Sequence, residues 1–383
     1  MSQALALRAA GRCQQSRTAR TGSKESLVTQ PDRRAALTTL SALWLAACGG
    51  GGSDDTTATA PAPAPVPAPA PTPAPATTSY GDFARASLGI GAALNGALSF
   101  PADNAWNTDV SSAPVDPNSD ALIASIGLTT GLHADFGSGT YLGSRIGIPY
   151  VVVSGTQARV PITWTDYPGE SDPSPYPVPA NALVEGAPDP NGDRHLLVID
   201  RDNNRLYELY RAFLNTNGSW NAGCGAVFHL DSNSVRPTAP PGWTSADAAG
   251  LPIFPGLARY EEAALGPGGL RHALRFTVSR SRGAYVPPAS HSASSNNSAN
   301  LPPMGMRVRL KASYAIPASF SAETRALLTA MKTYGMIVAD NGSDWYVSGA
   351  PDERWNNDAL ASELRQVQGR HFEVLRLDGL VVG

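Results

Sequence analysis

Every second residue from Pro61 to Pro75 is proline, with Ala, Val or Thr between. Each pyrrolidine ring fixes its own φ and pushes the preceding residue out of the α region, so this stretch is neither helix nor interior strand. It is expected to run as extended polyproline II, which at ~3.1 Å per residue reaches roughly 45 Å. Residues 49–60 ahead of it hold only Gly, Ser, Asp, Thr and Ala. The chain of 383 residues is thereby divided into a leader over 1–47, a spacer over 48–79 and a body over 80–383. No second spacer and no internal repeat interrupts the body, which reads as one β-rich globular domain.

The leader has the layout of a secretion signal. Arg8, Arg12, Arg17, Arg20, Lys24, Arg33 and Arg34 stand against Glu25 and Asp32, and an apolar run from Ala35 to Ala47 follows. About 13 apolar residues are too few to cross ~30 Å of hydrocarbon as a helix. Leu45-Ala46-Ala47-Cys48 resembles the lipobox of bacterial lipoproteins. That resemblance implies cleavage before Cys48 and acylation of its thiol. Asp32-Arg33-Arg34 ahead of the apolar run is similar to a twin-arginine signal, which exports folded proteins. Gly49 stands where an aspartate would imply inner-membrane retention, so the resemblance implies the outer membrane. Cleavage removes seven basic and two acidic side chains and makes the remainder more acidic than the whole chain's −3. Acyl chains, at ~0.8 kcal/mol per buried CH₂, would then hold the protein on the bilayer rather than charge. Of the three cysteines, Cys13 leaves with the leader and Cys48 is acylated. Cys224 is expected as a small buried hydrophobe.

The chain contains too much Gly and Pro for a helical bundle, and its net charge of −3 leaves no basic excess to neutralise phosphates. Nucleic acid is therefore excluded as a partner. Short apolar segments between Gly/Pro/Asn/Asp turns predict strands at Ile148–Val153, Arg159–Trp164, His195–Asp200, Arg205–Phe213, Gly225–Leu230, Ala273–Val278, Gly305–Lys311 and Met336–Ala339. Ser321 predicts the cap of a helix with Leu327, Leu328, Met331 and Tyr334 on one face, stopped by Gly335. Shorter helices are expected from Asp358 to about Gln366 and from Thr244 or Ser245. The expected architecture is mainly β, a β-sandwich or jelly roll with a few peripheral helices.

The most explicit local pattern is a hairpin closed by Arg201-Asp202-Asn203-Asn204. Pairing Asp200 with Arg205 puts His195, Leu197, Ile199, Leu206, Glu208 and Tyr210 on one face, and Leu196, Val198, Tyr207, Leu209 and Phe213 on the other. A carboxylate, an imidazole and a ring on one face have the composition of a sugar-binding surface, and also of an ordinary solvated strand. A slip of one residue would abolish the grouping. Trp243 and Asp247 sit at the expected helix start near Thr244, where Asp247 would oppose the positive helix terminus. His272 opens a strand beside Arg271 and Arg275, His291 lies in a Ser/Asn-rich loop, and Asp340 ends a strand in a turn beside Trp345. The runs Gly242–Gly250 and Ala339–Trp345 resemble those of uncharacterised bacterial secreted proteins, which implies export and a shared fold but no reaction.

Phosphate-binding, zinc-protease, paired-cysteine and nucleophile-elbow motifs are all missing, and the six histidines lack metal spacing. Asp116-Pro117-Asn118-Ser119-Asp120 alternates oxygen ligands without the terminal Glu of a calcium loop, so neither metal nor cofactor is expected. Two functions remain. The first is a glycoside hydrolase acting on a polysaccharide with paired carboxylates, drawn from Glu208, Asp247 and Asp340. His195, Tyr210, Trp243, His272, His291 and Trp345 would then bind substrate. A site of His, Tyr and Arg around an acidic sugar would instead suit a lyase. The second is a non-catalytic glycan-binding or envelope-structural lipoprotein using the same rings. Two acids converging in one hollow would favour the first.

Overall fold

The computed structural model describes residues 77–238 and 242–382. The leader and Cys48 lie outside the described residues, as does the proline-rich spacer up to residue 76. Within the described residues the protein is mainly β, and each predicted strand is present with its ends shifted by a few residues.

The segment Leu196-Leu197-Val198-Ile199-Asp200 is apolar at successive positions, a pattern that needs cover on both faces of its sheet. Five strands form that sheet in the order Cys224–His229, Arg205–Tyr210, Leu196–Asp200, Tyr150–Val153, Gly89–Ile90. On one face Leu196, Val198, Tyr207 and Leu209 pack against Ile162, Trp220 and Ala222 of a three-stranded sheet. On the other, Leu197, Ile199, Leu206 and Ala226 enter the main core. The far side of that core is a six-stranded sheet, ordered Phe372–Val374, Arg307–Leu310, Met336–Asn341, Leu274–Val278, Tyr346–Ser348, His133–Asp135. Both large sheets are mixed. Tyr150–Val153 runs parallel to Leu196–Asp200, and Leu274–Val278 runs parallel to Met336–Asn341. These parallel contacts set the layers apart from the antiparallel sheets of a jelly roll.

Helices Ser119–Ile126, Ala322–Thr333 and Asn357–Leu364 lie against the six-stranded sheet. The second starts as its sequence requires: the Ser321 side chain accepts the Thr324 N–H, and Gly335 takes φ +73° just past the end. The helix expected at Thr244 does not form. Instead residues 246–258 run as a mostly irregular wedge, closed by one short 3₁₀ turn at Phe254–Gly256. The wedge buries Ala246, Ala249, Leu251, Ile253, Phe254, Leu257 and Ala258 in the main core. Burial leaves its backbone polar groups in need of partners. The Ile253 and Phe254 amides find theirs on the five-stranded sheet, and those of Ala249 and Ala258 on the six-stranded one. Asp247 therefore opposes no helix terminus; it enters the interior on this wedge.

Candidate active site

The hairpin has the register its sequence predicts: Arg205 pairs with Asp200 and Glu208 with Leu197. His195 and Tyr210 continue that register at the open end, their ring centroids 5.9 Å apart. The grouped face does not look onto solvent, however. Glu208 is fully buried, and its carboxylate accepts the backbone N–H groups of Ile253 (2.9 Å) and Phe254 (2.9 Å). Burial pushes its pKa up to about 7 against those donors. Glu208 is thus a clamp that fixes the wedge to the sheet, with no open path from its carboxylate to a bulky substrate.

His195 is equally enclosed. Its Nδ1 lies 2.5 Å from Glu185 Oε2 and its Nε2 3.0 Å from the Ala246 carbonyl. Both neighbours accept, so the ring must donate from both nitrogens, which only the imidazolium does. Burial alone would depress its pKa, but the Glu185 carboxylate more than offsets this and lifts it to about 9. In return the cation holds the Glu185 carboxyl below its ordinary value despite burial. Glu185 was not foreseen. It sits in the irregular segment Asn181–Gly186, where nothing but its proximity to His195 in space marks it.

Asp247 acts electrostatically on both of the other expected acids, Glu208 and Asp340, and of those two only Asp340 has access to solvent. Arg275 and Ser348 are cross-strand neighbours on the wedge-facing side of the six-stranded sheet, and Arg275 Nη1 donates to Ser348 Oγ at 2.6 Å. Its Nη2 donates to Asp247 Oδ1 at 2.9 Å. The other oxygen, Asp247 Oδ2, is buried without a hydrogen-bond partner. Asp340 reaches the same place because its strand carries one extra residue. Phe276 pairs with Val338, but Thr277 pairs with Asp340, leaving Ala339 as a bulge. A bulge turns the residues after it to the opposite face, which puts Asp340 in the row of Arg275 and Thr277. Part of Asp340 is open to solvent. Its carboxyl is nonetheless closely surrounded, and this desolvation, then the Asp247 and Asp193 charges, push its pKa up to about 7. Burial likewise raises Asp247, with Arg275 opposing. Both carboxyls therefore hold a proton more readily than an exposed acid would.

The remaining expected residues divide in two. Tyr210, Trp243 and His291 are half-buried. His291 Nδ1 lies 2.9 Å from the Ala248 carbonyl, on the loop beside Asp247, and Trp243 stacks with Arg236 at 5.5 Å. His272 and Trp345 are not part of the site. His272 is buried against Glu262 (3.3 Å) and the Ala273 carbonyl (2.8 Å). Trp345 is fully buried between Phe276 and Phe372, its Nε1 donating to the Gly127 carbonyl. Neither side chain is available to a sugar.

Among the described residues no group of His, Cys, Asp and Glu side chains is arranged to hold a metal. The Asp116 carboxylate, suggestive of calcium in sequence, accepts the Asn118 and Leu377 amides instead. Cys224 is buried, and its thiol donates to the Ser245 carbonyl at 2.9 Å. A separate hollow of about 380 Å³, lined by Val235, Tyr285, Pro287, Pro288 and Val381, holds neither acid nor base beyond the Tyr285 phenol. Comparison with family models, with curated proteins and with solved structures finds no match to this chain.

Proposed function

We propose that the body is a glycoside hydrolase acting on a polysaccharide, with Asp340 and Asp247 as its working pair. The observation that supports this reading is the convergence of two acids from separate elements, one on the wedge and one after a strand bulge, beside Arg275 and the His195 imidazolium. Glycosidic cleavage needs an acid that keeps its proton near neutrality and a second carboxylate that does not. Asp340 suits the first role, being partly open to solvent and poised near pH 7. Asp247 suits the second. Arg275 favours its anion, and its unpartnered Oδ2, on a side chain with no exposed surface, serves as the base for a water entering past Asp340 and does not itself reach the sugar. Tyr210, Trp243 and His291 supply rings for the sugar. Glu208, first in line from sequence, positions the wedge from behind.

We infer the same export as the leader's resemblance implies, with Cys48 acylated and the body held at the outer membrane, facing glycan rather than nucleic acid. The test is reducing-end release from a panel of polysaccharides. Release that is lost in both Asp340→Asn and Asp247→Asn supports the reading. Release that survives in both variants overturns the pair, and binding without release favours the non-catalytic alternative.

A further inference from the structure

Residues Thr140–Tyr141 and Ser144–Arg145 form a small hairpin, Tyr141 pairing with Ser144 across the two-residue turn Leu142-Gly143. Both turn residues have positive φ, +51° and +85°. A turn of this kind is best filled by Asn-Gly or Asp-Gly, which tolerate the left-handed region and water together. Here a leucine occupies the first position and is 88% exposed, next to a tyrosine that is 71% exposed. Backbone and solvation both disfavour that choice, and nothing in the fold repays it. The base of the hairpin, by contrast, is tied down. Ser144 Oγ donates to the Gly186 carbonyl at 2.6 Å, Gly139 N to Glu353 Oε2 at 3.2 Å, and Ser138 N to Asn357 Oδ1 at 2.8 Å.

Gly186 follows Glu185, the partner of His195. The same loop therefore holds both the partner of His195 and the anchor of this hairpin, whose tip is apolar. We propose that Tyr141 and Leu142 are a secondary glycan-binding platform, gripping a stretch of polysaccharide beyond the bond at the Asp247–Asp340 pair. The phenol ring stacks on the apolar face of a pyranose, and the leucine covers its neighbour. This rests on the glycan reading for its ligand but not on cleavage.

The experiment is affinity electrophoresis of the full chain through gels containing a soluble xylan, a β-1,3-glucan or an alginate, run beside reducing-end assays. At least one polysaccharide should retard the wild type, and Tyr141→Ser combined with Leu142→Asn should weaken that retardation about tenfold. Leu142→Asn alone should melt no lower than the wild type, which shows that the hairpin is intact. The platform is overturned if no gel retards the wild type, or if the double variant is retarded equally. It is also overturned if the double substitution instead abolishes a concentration-dependent dimer, or abolishes cosedimentation of a full-length Cys48→Ser chain with phosphatidylcholine–phosphatidylglycerol vesicles. Retardation that depends on the tip without reducing-end release keeps the platform and removes the hydrolase.

Discussion

The amide of Ala249 donates to the carbonyl of Ala339 at 3.0 Å, joining the wedge to the strand bulge. Asp247 lies two residues before the donor and Asp340 one residue after the acceptor, so a single backbone bond brings the two acids together. Replacing Asp340 removes the group that holds the proton. Asp340→Asn is expected to reduce polysaccharide cleavage by about 10²–10⁴-fold. Its folding should not suffer. The raised pKa means that Asp340 costs stability increasingly as pH rises from 3.8, and in full above about pH 7, so the variant should melt at or above the wild-type temperature at pH 8.

The rate should follow the same proton. With Asp340 as the acid, activity is lost as pH rises through about 7. A pH profile of kcat/KM reads this limb directly. A rate that continued to climb to pH 9 would remove Asp340 from the acid's role.

His195 and Glu185 make a separate, structural prediction. The imidazole titrates at about 9 in the folded protein against 6.5 in the unfolded chain. A raised pKa contributes stability that is complete below pH 6.5 and is lost as pH climbs to 9. We expect the unfolding free energy to fall across that window by up to about 3 kcal/mol, read as a lower denaturant midpoint. Glu185→Gln should flatten the slope and leave the protein weaker at pH 6, as measured by urea titrations at the two pH values.

Glu208→Ala should injure the fold more than any change at Asp340. It strips acceptors from the Ile253 and Phe254 amides and opens a cavity in the core. Unsatisfied buried donors and lost packing together cost about 3–5 kcal/mol. Thermal unfolding followed by circular dichroism checks this, with Asp340→Asn as the reference.

The hairpin and the long helix were legible because local chemistry determines them. Turn residues at 201–204 and alternating faces fix the register, and a serine cap and a glycine stop bracket residues 322–333. The wedge was not legible. It has neither helical nor strand period, and its buried backbone is satisfied by Glu208 and by strand carbonyls distant in sequence, so its Thr-Ser-Ala-Asp start read as a helix cap. The bulge was equally silent, since Met336-Ile337-Val338-Ala339 is apolar throughout and carries no alternation to be broken. The same holds for Trp345. Its turn looked like an exposed sugar platform, yet the indole folds inward at φ +61° to meet two phenylalanines. Burial of Glu208 and His195 was hidden because their hairpin face is covered by the wedge and not by another regular element.

The sheet enclosed on both faces has a corollary for change over time. Its flanks are committed to packing, and what reaches water near the acids comes from strand ends and the segments around residues 187–193 and 294–300. Those segments are free to lengthen, shorten or be exchanged while the layers beneath stay as they are. Recognition and stability are thereby housed in different parts of one chain, and a new specificity can be grafted at the rim without rebuilding the interior.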